Sequence, residues 1–204
     1  MIHSVGDSHA RCSFYDIDEV MEHEIGPVTM ESVGKQRVGA STSSGILNIT
    51  LERSGISESD LAILCFGEID VRCKIHPRIL ADEDEDSIIN ELIENFVHTV
   101  IHATHKNFWI MSITPPVSIM GQWNNEAFPF LGTDEERSRY ARKMNEKLRV
   151  KAEIAGIPVL DVYDDYRDAS GMLIPELSDG TVHIGKTEFV RQALRTLLSH
   201  EMKS

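Results

Sequence analysis

No stretch of this 204-residue chain approaches the roughly 18–20 consecutive apolar residues that a helix needs to cross a bilayer. The opening, Met1-Ile2-His3-Ser4-Val5, has neither a basic cluster nor a long apolar run, so no secretory leader is expected. Cysteine is scarce. Cys12, Cys65 and Cys73 are odd in number and form no Cys-x-x-Cys pair, which excludes a disulfide scaffold and predicts free thiols in a reducing, cytoplasmic setting. Positive charge is in deficit, 20 Lys+Arg against 33 Asp+Glu, for a formal charge of −13. Nucleic acid and anionic membrane are therefore not expected partners, since both are bound through concentrated positive charge. Repeats and low-complexity linkers are also missing, and the length predicts a single domain over residues 1–204.

What is present alternates in period. Short apolar runs bounded by Gly, Pro or polar residues predict strands at Ile2–Val5, Val28–Val33, Leu61–Phe66, Phe108–Ile113 and Ile157–Val162. Between them lie helical patterns. Ile88, Ile89, Leu92, Ile93, Phe96, Val97, Val100 and Ile101 make one apolar stripe from about Asp86. Thr133 followed by Glu136 is a capping-box signature for a second helix that Gly156 would end. A third helix starts near Lys186 and a weaker one covers about Ser43–Arg53. Strands alternating with helices predict an α/β domain, a mostly parallel five-stranded sheet covered on both faces. Ligands of such sheets bind beyond the carboxyl ends of the strands.

Those ends hold the chemistry. The first strand runs into Gly6-Asp7-Ser8-His9 and the third into Gly67-Glu68-Ile69-Asp70. Ser178-Asp179-Gly180-Thr181-Val182-His183 stands near the carboxyl terminus. A serine hydroxyl needs a base to act as a nucleophile, and a histidine titrates in the right range, with activity rising at an apparent pKa of roughly 6–7.5. A carboxylate then holds the histidine tautomer. Ser8, His183 and Asp179 are the candidates, in an order that lacks the Gly-x-Ser-x-Gly elbow of α/β-hydrolases.

Gly6-Asp7-Ser8 with a late Asp179…His183 resembles the SGNH, or GDSL-type, hydrolases over nearly the whole chain. The resemblance implies a three-layer α/β/α fold with a flavodoxin-like sheet and esterase activity, with Ser8 as nucleophile, His183 as base and Asp179 as triad acid. The family's oxyanion glycine falls in the segment 33–39, where Gly34 is preferred to Gly39 because it follows the predicted second strand. Two departures stand out. The family's Gly-x-Asn-Asp block is Gly67-Glu68-Ile69-Asp70 here, so Ile69 replaces an amide donor. Asp179 also precedes His183 by four residues instead of three, an excess that a bulge at Gly180 could absorb. Gly67, Asp70 and Arg72 are carried as oxyanion or substrate contacts, with ion pairing or backbone capping as their structural alternative.

The implied reaction is hydrolysis of a small ester, an O-acetylated carbohydrate among the candidates, with no metal and no organic cofactor. A non-hydrolytic binding module on the same fold and an O-acyltransferase are the alternatives. Residues 114–132 form a long loop, a candidate lid whose Trp123 could stack on a sugar. Two patterns are decoys. Gly180-x4-Gly185-Lys186-Thr187 has the spacing of a phosphate loop but no strand before it. His98, His102 and His105 fall on one predicted helical stripe beside acidic residues, which predicts a solvated flank and not a zinc site.

Overall fold

The computed structural model describes residues 1–34, 45–118 and 126–201. A five-stranded sheet is built from β1 (Ile2–Gly6), β2 (Val20–Glu24), β3 (Leu61–Cys65), β4 (Phe108–Met111) and β5 (Val159–Leu160). Every pairing is parallel, in the spatial order β2-β1-β3-β4-β5. That is the flavodoxin-like order, and helices cover both faces as predicted.

Strand alternation explains the two layers. On β3, Ala62 and Leu64 face one core and Leu61, Ile63 and Cys65 the other. The first core includes Met30 and Val33 of α2 (Met30–Gly34), Ile89 and Phe96 of α6 (Glu85–His102), and Tyr140 and Leu148 of α7 (Asp134–Ala155). The second includes Ala10 of α1 (Ser8–Cys12), Tyr166 of α8 (Tyr163–Tyr166), and Val190 and Leu194 of α9 (Glu188–Glu201). The remaining helices are α3 (Ile46–Arg53), α4 (Glu68–Cys73) and α5 (Ile75–Leu80). The capping box of α7 is formed by Thr133 and Glu136, and Gly156 ends that helix at φ 69°.

Three expectations require correction. The run Val28–Val33 is not a strand but runs into helix α2, and the second strand lies earlier, at Val20-Met21-Glu22-His23-Glu24. That strand is the sheet's edge, so only Val20 is buried and the apolar signal is weak. The start of the helix at Val28–Val33 is held both from within, where Thr29 Oγ1 accepts the Ser32 N–H at 2.9 Å, and from outside the segment. The Asp70 carboxylate accepts the N–H groups of Met30 and Glu31 at 2.7 and 3.0 Å, answering donors that a helix start leaves open. The third correction concerns the histidine stripe: α6 ends at His102, so His105 lies beyond it, buried and bonded to the Asn107 carbonyl.

β1 is an interior strand between β2 and β3 and is locked to β3 with no room to spare. A Cβ at Gly6 would meet the Cys65 carbonyl oxygen at 2.0 Å, so only glycine lets the chain leave β1 at that point. At the opposite, amino end, His3 Nδ1 and His23 Nε2 share a hydrogen bond of 2.9 Å between β1 and β2. Burial lowers the pKa of both rings. The unfolded chain therefore takes up more protons below about pH 6.5, and stability present above that value is lost as pH falls toward the folded-state values. The thermal midpoint should drop between pH 7.5 and pH 5, and His23→Gln should shrink that drop. An equal acid sensitivity in the variant would assign it elsewhere.

Candidate active site

Asp7 follows β1 and caps α1, its Oδ1 accepting the His9 N–H at 2.9 Å. Because the aspartate is the cap, the hydroxyl of Ser8 at the first helical position is free to turn elsewhere. It lies 2.8 Å from His183 Nε2. The structure thus brings together two residues 175 positions apart.

His183 sits on a tight loop. Ser178 and Ile184 form an antiparallel bridge, and the Asp179 N–H donates to the His183 carbonyl at 3.2 Å. Gly180, between Asp179 and His183, takes φ 88°, a left-handed conformation that favours glycine. Asp179 Oδ2 reaches His183 Nδ1 at 3.2 Å. Thr181, which sequence reasoning passed over, fills the remaining space. Its hydroxyl donates to Asp179 Oδ1 at 2.6 Å and stands 2.8 Å from His183 Nδ1. Having given its one proton to the carboxylate, the Thr181 oxygen can only accept from the ring. Nδ1 therefore carries the ring proton, and Nε2 turns its lone pair to the Ser8 hydroxyl.

His9 was also missed, for it reads as an ordinary helix residue after the serine. It is buried, its Nδ1 lies 2.9 Å from Asp7 Oδ1, and its Nε2 lies 3.2 Å from the Val182 carbonyl. Burial opposes a charge on this ring, but the Asp7 carboxylate outweighs it and raises the pKa to about 9. The cation packs edge-on against His183, ring centres 4.8 Å apart. Burial first, and then the charge on His9, lowers the pKa of His183 to about 4. The expected pKa of roughly 6–7.5 is accordingly revised downward, because the neighbouring cation was invisible in the sequence.

The residues after β3 serve structural ends. Gly67 starts α4 at φ 114°, where a Cβ would meet Ile113 Cγ1 at 2.7 Å. Asp70 is committed to the N-terminus of α2 and is not turned to a ligand. Arg72 is buried and pairs with Glu68 at 3.1 Å, its guanidinium 5.3 Å from the Phe130 ring centre. Ile69 is buried in the same helix. Gly34 follows no strand: it is the last residue of α2 and packs against Asn95 and Phe96 of α6. Its N–H belongs to the helical ladder, so it is not placed as an oxyanion donor. Gly39 and Trp123 lie outside the described residues. Of the candidate lid, Thr114–Val117 are buried, and Phe130 lies between Arg72 and the fully buried Arg137.

Fold and site together define a three-layer α/β/α protein with a Ser–His–Asp cluster at the carboxyl edge of a parallel sheet. No family model and no curated protein matches the sequence. Solved structures do. A GDSL-like lipase from Bacteroides thetaiotaomicron superposes with TM-score 0.53 at 13% identity, over 99% of this chain and 87% of that one. An acetyl xylan esterase gives 0.53 at 12% identity, over 97% and 98%. The C-terminal domain of Drosophila Oskar gives 0.55 at 11% identity, over 96% and 87%. The chain has the fold of the GDSL, or SGNH, hydrolases.

Two variants test this geometry without reference to turnover. His9→Gln removes the cation facing His183, and the His183 ring should titrate at higher pH by NMR. A titration left unmoved would deny the electrostatic link. Asp70→Ala strands two backbone donors at the start of α2 and should cost about 2–4 kcal/mol in denaturant unfolding.

Proposed function

We propose that the protein is a serine esterase of the SGNH type. The 2.8 Å contact between Ser8 Oγ and His183 Nε2 carries this reading. In the proposed reaction His183 Nε2 takes the Ser8 proton as the oxygen attacks the ester carbonyl. The ring becomes an imidazolium, with Asp179 and Thr181 facing its Nδ1 proton. Collapse of the tetrahedral intermediate expels the alcohol, which leaves with the proton from Nε2. Water then repeats the sequence on the acyl-enzyme. The Ser8 N–H, at the first position of α1, has no carbonyl partner within the helix and is available to the oxyanion.

The substrate class is inferred from the surface beside the Asp179 loop. An open groove there is lined by Ser118, Asp134, Asp168, Ser170 and Ser178 together with Val117, Met172, Leu173 and Pro175, a mixed polar and apolar lining that supports a small polyol alcohol moiety. A short acyl group on a carbohydrate fits that lining. Ile69 favours a second reading. With no amide donor at that position, an oxyanion hole short by one donor loses on the order of 10²–10³-fold in rate, which would leave a binding module or a slow acyltransferase.

A fluorophosphonate separates these readings. It should label Ser8 in the wild type, and His183→Ala should abolish labelling at unchanged melting temperature. Because burial and His9 hold His183 neutral, hydrolysis of an aryl acetate should persist into acid and decline only toward about pH 4. Failure of any adduct to form on folded protein would leave the binding module.

A further inference from the structure

Beyond the face of His183 that meets Ser8, a second set of donors converges. One ligand atom each of Cys12, Asp179 and His183 lie within 4.8 Å of one another. The ring nitrogen turned toward Asp179 is Nδ1. The two oxygens of Asp179 are unequal: Oδ1 is held by the N–H and hydroxyl of Thr181 at 2.8 and 2.6 Å, while Oδ2 faces the ring. Cys12 comes from the last turn of α1, four residues after Ser8, so both project from one side of the helix. Its thiol is free of any disulfide, and Asp179 is one-third exposed, which opens the cluster to ions from solvent.

We infer that Cys12 Sγ, Asp179 Oδ2 and His183 Nδ1 form an inhibitory zinc site, whose occupation stops His183 from accepting the Ser8 proton. Thiolate, carboxylate and imidazole are the donor types of four-coordinate zinc, here three protein ligands with the fourth position left to water. Metal–ligand bonds of about 2.0–2.3 Å require the donors to close by roughly 1 Å, a matter of side-chain rotation.

The protons balance simply. Cys12 releases its thiol proton to solvent. The imidazole stays neutral: Nδ1 gives its lone pair to the metal, and the ring proton moves to Nε2. In that tautomer Nε2–H donates to Ser8 Oγ and cannot accept the hydroxyl proton. Cys12 has no part in acyl transfer, so its removal should spare basal activity while abolishing the inhibition. The inhibitory consequence rests on the esterase reading; the binding of metal does not.

Cobalt(II) in place of zinc gives a readout independent of turnover. The wild type should develop the near-ultraviolet thiolate-to-cobalt band with one equivalent of cobalt, and zinc should displace it. Cys12→Ala should lack the band, and Cys73→Ser should retain it. Zinc should block fluorophosphonate labelling of Ser8 in the wild type, and Cys12→Ala should need at least about tenfold more zinc, a loss of about 1.4 kcal/mol. Cys12→Ser, a closer replacement, repeats the test should the alanine variant fail to fold. Absence of the band in the wild type, or the same band and zinc sensitivity without Cys12, would overturn the site. A cobalt band in a protein that neither labels nor hydrolyses esters would uphold the site and remove the esterase reading.

Discussion

The buried carboxylate of Asp7 is the constraint on which the site depends. A charge out of water is costly unless it is paired and hydrogen-bonded. Asp7 answers it through one oxygen, Oδ1, which takes the N–H and the ring of His9, while Oδ2 is buried with no hydrogen-bond partner among the described residues. The first bond starts α1 and frees Ser8 from the capping role. The second fixes a cation whose far nitrogen reaches the Val182 carbonyl, one residue before His183. The two chain segments that hold Ser8 and His183 are thus tied behind the contact between these residues as well as through it.

This arrangement sets the electrostatics of the base. His183 has Asp179 and Thr181 on one nitrogen, Ser8 on the other, and the His9 cation at its edge. The carboxylate favours an imidazolium while the cation and burial oppose it, and the opposition prevails. A neutral ring is thereby available to the serine across a wide range of pH, at the cost of a weaker proton acceptor. Thr181 adds orientation without charge, since its hydroxyl bridges acid and ring.

Around that centre, the acids and cations that follow β3 are turned inward. Asp70 starts α2, and Glu68 and Arg72 neutralise each other under Phe130. Ile69 lies buried among them. A segment that in the resembling family includes an oxyanion donor is spent here on joining α4 to α2 and to the loop at 126–132.

The sequence by itself determined the layered α/β architecture, because period-2 and period-3.6 apolar patterns each report one buried face and those faces are local properties of short segments. It also determined the identities of Ser8, Asp179 and His183 as residues to consider, since they fall at strand ends and in a fixed order. Only the tertiary structure decided the rest. The polar edge strand at Val20–Glu24 has half its neighbours missing and so carries little apolar signal. The helix at Met30–Gly34 owes part of its start to a carboxylate 40 residues away. His9, Thr181 and Cys12 gain their meaning from contact with His183, and no pattern within their own segments encodes which distant side chain will stand beside them.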